Sequence, residues 1–148
     1  LFGSAARPLR KEVPRFRNYR RAGIALWHEC KDVDIAVWLR GLDRLRDMRR
    51  SINRALAAIF EQTGNGVPPH EVDVFVLEPG TDRYLGRMCY FKACPAQKRE
   101  CLVRGCGATP FLKQHEDFTF HRDALAEGRA VRLFDRSAGV VRRAAELE

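Results

Sequence analysis

ECKDVDIAVWLRG (Glu29–Gly41) joins an apolar, β-prone run, Val33 to Leu39, to two carboxylates at its head, Asp32 and Asp34. The β-branched residues Val33, Ile35 and Val37 predict a strand, and Gly41 ends it. Side chains two apart on a strand share a face, about 6.6 Å from one another. Asp32 and Asp34 therefore point one way, and Val33, Ile35 and Val37 the other. A strand with one face in a core gains nothing from a pair of acids, because an unpartnered buried carboxylate is costly. Asp32 as a strand-end turn residue and Asp34 as half of an ion pair is the plain structural reading. A shared ligand for both is the functional one.

Moving outward, residues 43–62 predict a helix. Leu45, Met48, Ile52, Leu56, Ile59 and Phe60 recur at spacings of three and four and form one apolar stripe, with arginines on the opposite face. Asp43 is the expected N-cap and Gly64 the expected C-terminal stop. EVDVFVLEPG (71–80) is a second apolar strand closed by Pro79-Gly80, and it too carries an acid, Asp73. RYLGRMCYFKA (83–93) reads as a further strand, and DFTFH and AVRLFDR as two short ones. The opening Leu1-Phe2 reads as the end of a buried strand, and Gly3–Ala6 as a small-residue turn. Strands alternating with one long helix predict an α/β or α+β fold, a mixed sheet flanked by helices.

If 33–39 and 71–78 are sheet neighbours, Asp73 lies beside Asp32 and Asp34. Three carboxylates that close repel one another, and a divalent cation removes the repulsion. Oxygen-only ligands suit Mg²⁺ or Mn²⁺, which carboxylates and substrate phosphates commonly hold together.

The three segments Phe2-Gly3-Ser4, Asp32-Val33-Asp34-Ile35 and Val72-Asp73-Val74 follow one another in an order that resembles the nucleotidyltransferase superfamily, the polymerase-beta-like fold. The resemblance covers residues 1 to about 79, and LFGSAAR is similar to the opening of its small members. It implies a catalytic trio of Asp32, Asp34 and Asp73. Asp32 and Asp34 would bridge two metal ions, which in such sites lie about 3.5–4 Å apart. Asp73 would complete the ligands of the ion that activates an acceptor hydroxyl, and would serve as its base. Gly3 would let backbone approach a nucleoside triphosphate, with the Ser4 hydroxyl and nearby N–H groups on its phosphates and Arg7 as a phosphate clamp. The implied reaction moves a nucleoside monophosphate from a triphosphate to a hydroxyl of a protein, an RNA or a small molecule. One departure stands out: 27 residues, 5–31, separate the Gly-Ser turn from Asp32, far more than the family's usual interval.

That interval is also where the charge lies. The 148-residue chain has a net charge of +8, and residues 7–31 hold eight Lys/Arg against two Glu. A basic insertion of this kind points to phosphate, in a nucleotide or a nucleic acid, with a solvated loop as the plain alternative. The length fits a single domain with a core near residues 1–80, the insertion at 7–31, and a Cys-rich and C-terminal part at 89–148. No apolar run reaches the roughly 20 residues needed to span a bilayer, and no signal peptide is visible. A cytoplasmic location is expected. The opening LFGS starts in mid-element, so an upstream start is expected to be missing, and the terminal Leu147-Glu148 resembles a cloning scar.

Four of the five cysteines, Cys89, Cys94, Cys101 and Cys106, fall within 18 residues. Cys94, Cys101 and Cys106, with His115 or Cys89 as fourth ligand, form a candidate structural Zn²⁺ site. The spacing is not that of common zinc ribbons, and reduced, partly buried thiols are the alternative. Cys89 alone reads equally as a small core residue. His28, His70 and His121 suggest no chemistry, and Trp27 and Trp38 read as packing residues.

Three functions fit these features. One is the metal-dependent transferase. Another is a catalytically quiet nucleotidyltransferase-like module that binds a partner, as an antitoxin does. The last is a zinc-containing nucleic-acid-binding protein, whose binding would be salt-sensitive and indifferent to the acids. A homodimer is left open.

Overall fold

The two strands that carry the acids are sheet neighbours. The computed structural model describes residues 1–6, 21–22, 32–64, 66–89, 109–114 and 119–142. In it β1 (Val33–Trp38) runs parallel to β2 (Val72–Leu77), with Val33 opposite Val72 and Trp38 opposite Leu77. Parallel strands need a crossover, and α1 (Leu45–Thr63) supplies it. β3 (Tyr84–Met88) returns antiparallel to β2 after the Pro79-Gly80 turn, and β4 (Leu112–Lys113) pairs antiparallel with β3. The sheet order is β1-β2-β3-β4. A separate two-residue hairpin joins β5 (Phe134–Asp135) to β6 (Gly139–Val140). The class is mixed α/β.

The alternation of each strand divides the sheet into two different faces. Val33, Ile35 and Val37 on β1 and Val72, Val74 and Val76 on β2 meet Leu45, Met48, Ile52 and Leu56 of α1, together with Met88, Phe111 and Leu112. Val74, Val76 and Leu45 are almost fully excluded from water, and each such side chain contributes about 1.5–3 kcal/mol. β3 and β4 cross closely here. A Cβ on Gly86 would stand 2.7 Å from both a Leu112 carbon and the Lys113 carbonyl oxygen. The core thus draws on residues well past 80.

The other face carries Asp34, Ala36, Asp73, Phe75 and Arg87, with a small aromatic cluster. Phe2, Phe75, Tyr84 and Phe120 pack with ring centroids 5.3–6.2 Å apart, Tyr84 stacked on Phe120 and Phe2 edge-on to both Phe75 and Phe120. Burial in this cluster pushes the Tyr84 hydroxyl up to about 12, so it stays protonated.

Several expectations change. The helix begins after Arg44 with no side-chain cap. Asp43 lies one residue too early, its Oδ1 folded over Gly41, 2.9 Å from where a Cβ would stand. Gly64 does end the helix, in the left-handed conformation, its N–H donating to the Phe60 carbonyl at 2.8 Å. The last turn of the stripe is exposed: Ile59 is 51% and Phe60 59% accessible. Length explains this, since 19 helical residues extend about 28 Å and 6 strand residues about 20 Å, so the helix overhangs the sheet. Trp38 is not a packing residue. It is 46% exposed at the end of β1, and its indole N–H donates to Asp82 at 2.6 Å. Of AVRLFDR only Phe134–Asp135 is strand, in the small hairpin, and residues 119–121 of DFTFH are not strand. β3 is described as strand only to Met88. Among the described residues no helix is long and apolar enough to cross a membrane.

Candidate active site

The N-terminal residues add one more strip of chain to the edge of the sheet. Phe2 donates its N–H to the Asp34 carbonyl at 3.0 Å in an isolated antiparallel bridge, and its ring is buried. On the far side Leu1 and Val131 exchange backbone hydrogen bonds, at 3.0 and 2.8 Å. Phe2 is thus fixed laterally between β1 and the segment at 131. The chain then turns through a 3-10 turn at Gly3–Ala6.

Gly3 has φ +73, and a Cβ there would collide with Asp34 Oδ2 and lie 3.3 Å from its carboxyl carbon. Only glycine combines that backbone conformation with that approach. Asp34 in turn is the register partner of Asp73 across the parallel pair. Asp32, two residues before Asp34, is exposed just ahead of β1. Three segments far apart in sequence, Gly3-Ser4, Asp32/Asp34 and Asp73, therefore meet at one end of one sheet face.

The electrostatics match that convergence. Burial first, then the charges of Asp73 and Asp32, push the Asp34 carboxyl above its ordinary value, while Arg87 pulls it down. Arg87 is the residue that sequence reading missed. It stands opposite Phe75 on β3, diagonal to Asp73, and its Nη1 donates to Asp73 Oδ2 at 2.7 Å. A lone arginine at the alternating position of YLGRM was the signal available, but the pairing register was needed to aim it.

The donor types are those a hard divalent cation takes, carboxylate oxygens only, with the Asp34 carboxyl raised by burial and then by its acidic neighbours. The side chains as they stand do not form a cage. Among the described residues no three His, Cys, Asp or Glu groups converge on a common ion. One Asp73 oxygen is spent on Arg87.

The remaining expected site residues are distributed differently. Ser4 lies in the same turn as Gly3. Arg7, Cys94, Cys101, Cys106 and His115 lie outside the described residues, as does the basic insertion except Arg21 and Ala22. Cys89 is a buried free thiol. A cavity of about 440 Å³ lined by Ala6, Ala130, Val131, Arg132 and Arg142 touches the end of the Gly3–Ala6 turn, but none of the three acids lines it.

Arg49 departs most from the sequence pattern. The helix's arginines were expected on its outer face, yet Arg49 is 2% exposed. Its Nε donates to the Cys89 carbonyl at 2.9 Å, and Nη1 and Nη2 have no hydrogen-bond partner among the described residues. It lies one residue past Met48 and four past Leu45, at the margin of the apolar stripe, and is drawn in to hold the end of β3. Burial pushes its guanidinium below the ordinary value, with Cys89 and Asp73 acting the other way. Replacing a poorly paired buried charge by an apolar side chain of similar length is commonly neutral or stabilising by about 1–4 kcal/mol. Arg49→Met is therefore expected to raise the urea midpoint with an unchanged m-value, and a large fall would show that the charge is needed.

No family model, curated protein or solved structure matches this chain.

Proposed function

We propose that this chain is a metal-dependent nucleotidyltransferase, moving a nucleoside monophosphate from a nucleoside triphosphate to a hydroxyl acceptor. One observation carries the reading: the Gly3 backbone is seated on the Asp34 carboxylate, which is itself paired in register with Asp73. A fold with no use for the acids would gain nothing from closing a glycine turn over one of them. Asp32, Asp34 and Asp73 would hold Mg²⁺ or Mn²⁺, which when bound neutralises phosphate charge and favours the ionised form of an acceptor hydroxyl. The chain's own residues supply position. Gly3 leaves the floor of the site as bare backbone, so that phosphate oxygens reach it unobstructed. The sheet fixes Asp34 and Asp73 on rigid strands rather than loops, which keeps their oxygens in place during an in-line displacement. The aromatic cluster beside them holds the Phe2 ring, and so the turn, against the sheet.

The Asp73–Arg87 pair supports a second reading. A catalytically quiet, partner-binding module needs its acids neutralised without metal, and an arginine does that.

Thermal melting with each of the four nucleoside triphosphates separates the two. A ligand at 100 times its dissociation constant adds about 2.7 kcal/mol to stability. For a chain this long that amounts to a rise of roughly 5–10 °C. The transferase reading expects such a rise with at least one triphosphate, and only when Mg²⁺ or Mn²⁺ is present. No rise with any of them overturns it in favour of the quiet module.

A further inference from the structure

The small hairpin of β5 and β6 presents an outward face of cations and apolar groups alone. Exposure alternates along its first arm: Val131, Leu133 and Asp135 are half-buried, while Arg132 and Phe134 are exposed. Val140 is the register partner of Phe134, so the two side chains share a face, and Phe134 is 67% and Val140 66% accessible. The Leu133 carbonyl accepts from the Val141 N–H at 3.0 Å, which carries the ladder one step further and sets Arg142 across from Arg132. The hairpin's one acid, Asp135, turns into its own loop. The Ser137 hydroxyl and N–H and the Ala138 N–H all donate to its Oδ1, and Arg132 comes no nearer its Oδ2 than 3.8 Å. Among the described residues Arg142 has no carboxylate partner. Single exposed apolar residues are ordinary on a surface. Here a ring and the valine facing it are bracketed by arginines. The 440 Å³ cavity, a volume usual for ligand pockets, opens at the base of this face, lined by Arg132 and Arg142 with the small side chains of Ala6 and Ala130. The hairpin's stem is tied to the main sheet, because Val131 exchanges backbone hydrogen bonds with Leu1, and Phe2 bonds to β1.

We propose that this face binds single-stranded nucleic acid, with a base stacked on Phe134 and the adjoining phosphates on Arg132 and Arg142 at the mouth of the cavity. The inference goes beyond the transferase reading and uses neither the acids nor a metal. Every nucleotide of a single strand offers an uncovered π face and a phosphate, the two groups that an exposed ring between arginines can take. A duplex hides its base faces. An acidic peptide would satisfy the arginines and leave the ring without a flat partner. A bilayer calls for a broader apolar face than one ring and one valine.

Fluorescence anisotropy tests this with the full chain and labelled oligouridylate and oligothymidylate of about 12 nucleotides, between about 50 and 200 mM salt, without added metal or triphosphate. The variants are Phe134→Leu, Phe134→Trp and the double change Arg132→Gln with Arg142→Gln. Phe60→Leu is the control, since it removes a ring that is 59% exposed at the far end of the helix. Melting curves establish that each variant is folded. Wild type is expected to bind at least one oligomer, the tighter one naming the sugar. Phe134→Leu is expected to bind about fivefold or more weakly at every salt concentration, while Phe134→Trp and Phe60→Leu keep wild-type affinity. The double variant should lower the slope of log affinity against log salt by about 1.4, or about 0.7 for each lost phosphate contact. No binding of either oligomer by wild type at the lowest salt overturns the proposal. Wild-type affinity in both Phe134→Leu and the double variant also overturns it, and assigns the nucleic acid to basic charge elsewhere on the chain. If Phe134→Leu instead loses only binding to phosphatidylserine vesicles, the face belongs to a membrane surface and the proposal falls. None of these outcomes bears on the transferase reading, which the triphosphate melting experiment decides separately.

Discussion

Asp34→Asn is expected to remove metal-dependent nucleotide binding and transfer, by a factor on the order of 10³ or more, while making the protein more stable. The two effects share one cause. Asp34 is half-buried, lies opposite Asp73 and is two residues from Asp32. Burial and those two neighbours hold its carboxyl above the ordinary 3.8. A group whose folded value is raised binds more protons in the native state than in the unfolded one. Stability therefore falls as pH rises from about 3.8 through the raised folded value. Asparagine keeps the shape and carries no charge, so the variant does not suffer this loss. At pH 7 its melting temperature is expected to exceed that of wild type by on the order of 2 °C, a modest gain because water still reaches the site. Below pH 3.8 the two curves should converge. Melting from pH 3 to 8 checks this. A variant less stable than wild type at neutral pH would mean that Asp34 is held by a favourable partner instead, and would remove the electrostatic argument for a cation site.

The second large effect is expected at Gly3. Gly3→Ala places a Cβ in the left-handed backbone region, at φ +73, and against the Asp34 carboxylate. The backbone strain alone costs about 1–2 kcal/mol. The molecule contains its own reference for that cost: Gly64 has φ +70 and nothing within 4 Å of its would-be Cβ. Gly64→Ala therefore measures strain without collision. Gly3→Ala is expected to lose about 1–3 kcal/mol more than Gly64→Ala, because the Asp34 carboxylate must leave its place on the sheet to make room. It should also abolish triphosphate binding, because Asp34 must swing away from Asp73. Pairing Gly3→Ala with Asp34→Ala in a double-mutant cycle should recover most of the excess. Equal losses at the two glycines would show that the turn does not rest on Asp34.

Strand, helix, strand was legible from residue 33 to residue 77 because each element has an unmistakable period. Val33, Ile35 and Val37 alternate, Leu45, Met48, Ile52 and Leu56 recur at helical spacing, and Val72, Val74 and Val76 alternate again. The acids were legible for the same reason: a charge at an alternating position is conspicuous only against such a pattern. β4 and β6 were missed. Two-residue strands have no period, and their existence depends on the neighbour they pair with. The helix cap was misplaced because Asp43 satisfied the composition of a cap while its side chain turned back over Gly41.

By itself, then, the sequence determined the mixed α/β class, the alternation that gives each strand two unlike faces, and the three carboxylates set within or at the head of those strands. These follow from local periodicity, which one chain carries in full. Only the tertiary structure decided that Gly3 would close on Asp34, that Asp34 would stand beside Asp73, that Arg87 would hold Asp73, and that Arg49 would be buried. Each of those is a contact between segments 14 to 40 residues apart. Such contacts are set by strand register and by which face of the sheet the helix covers, and neither quantity is written in any single stretch of the chain.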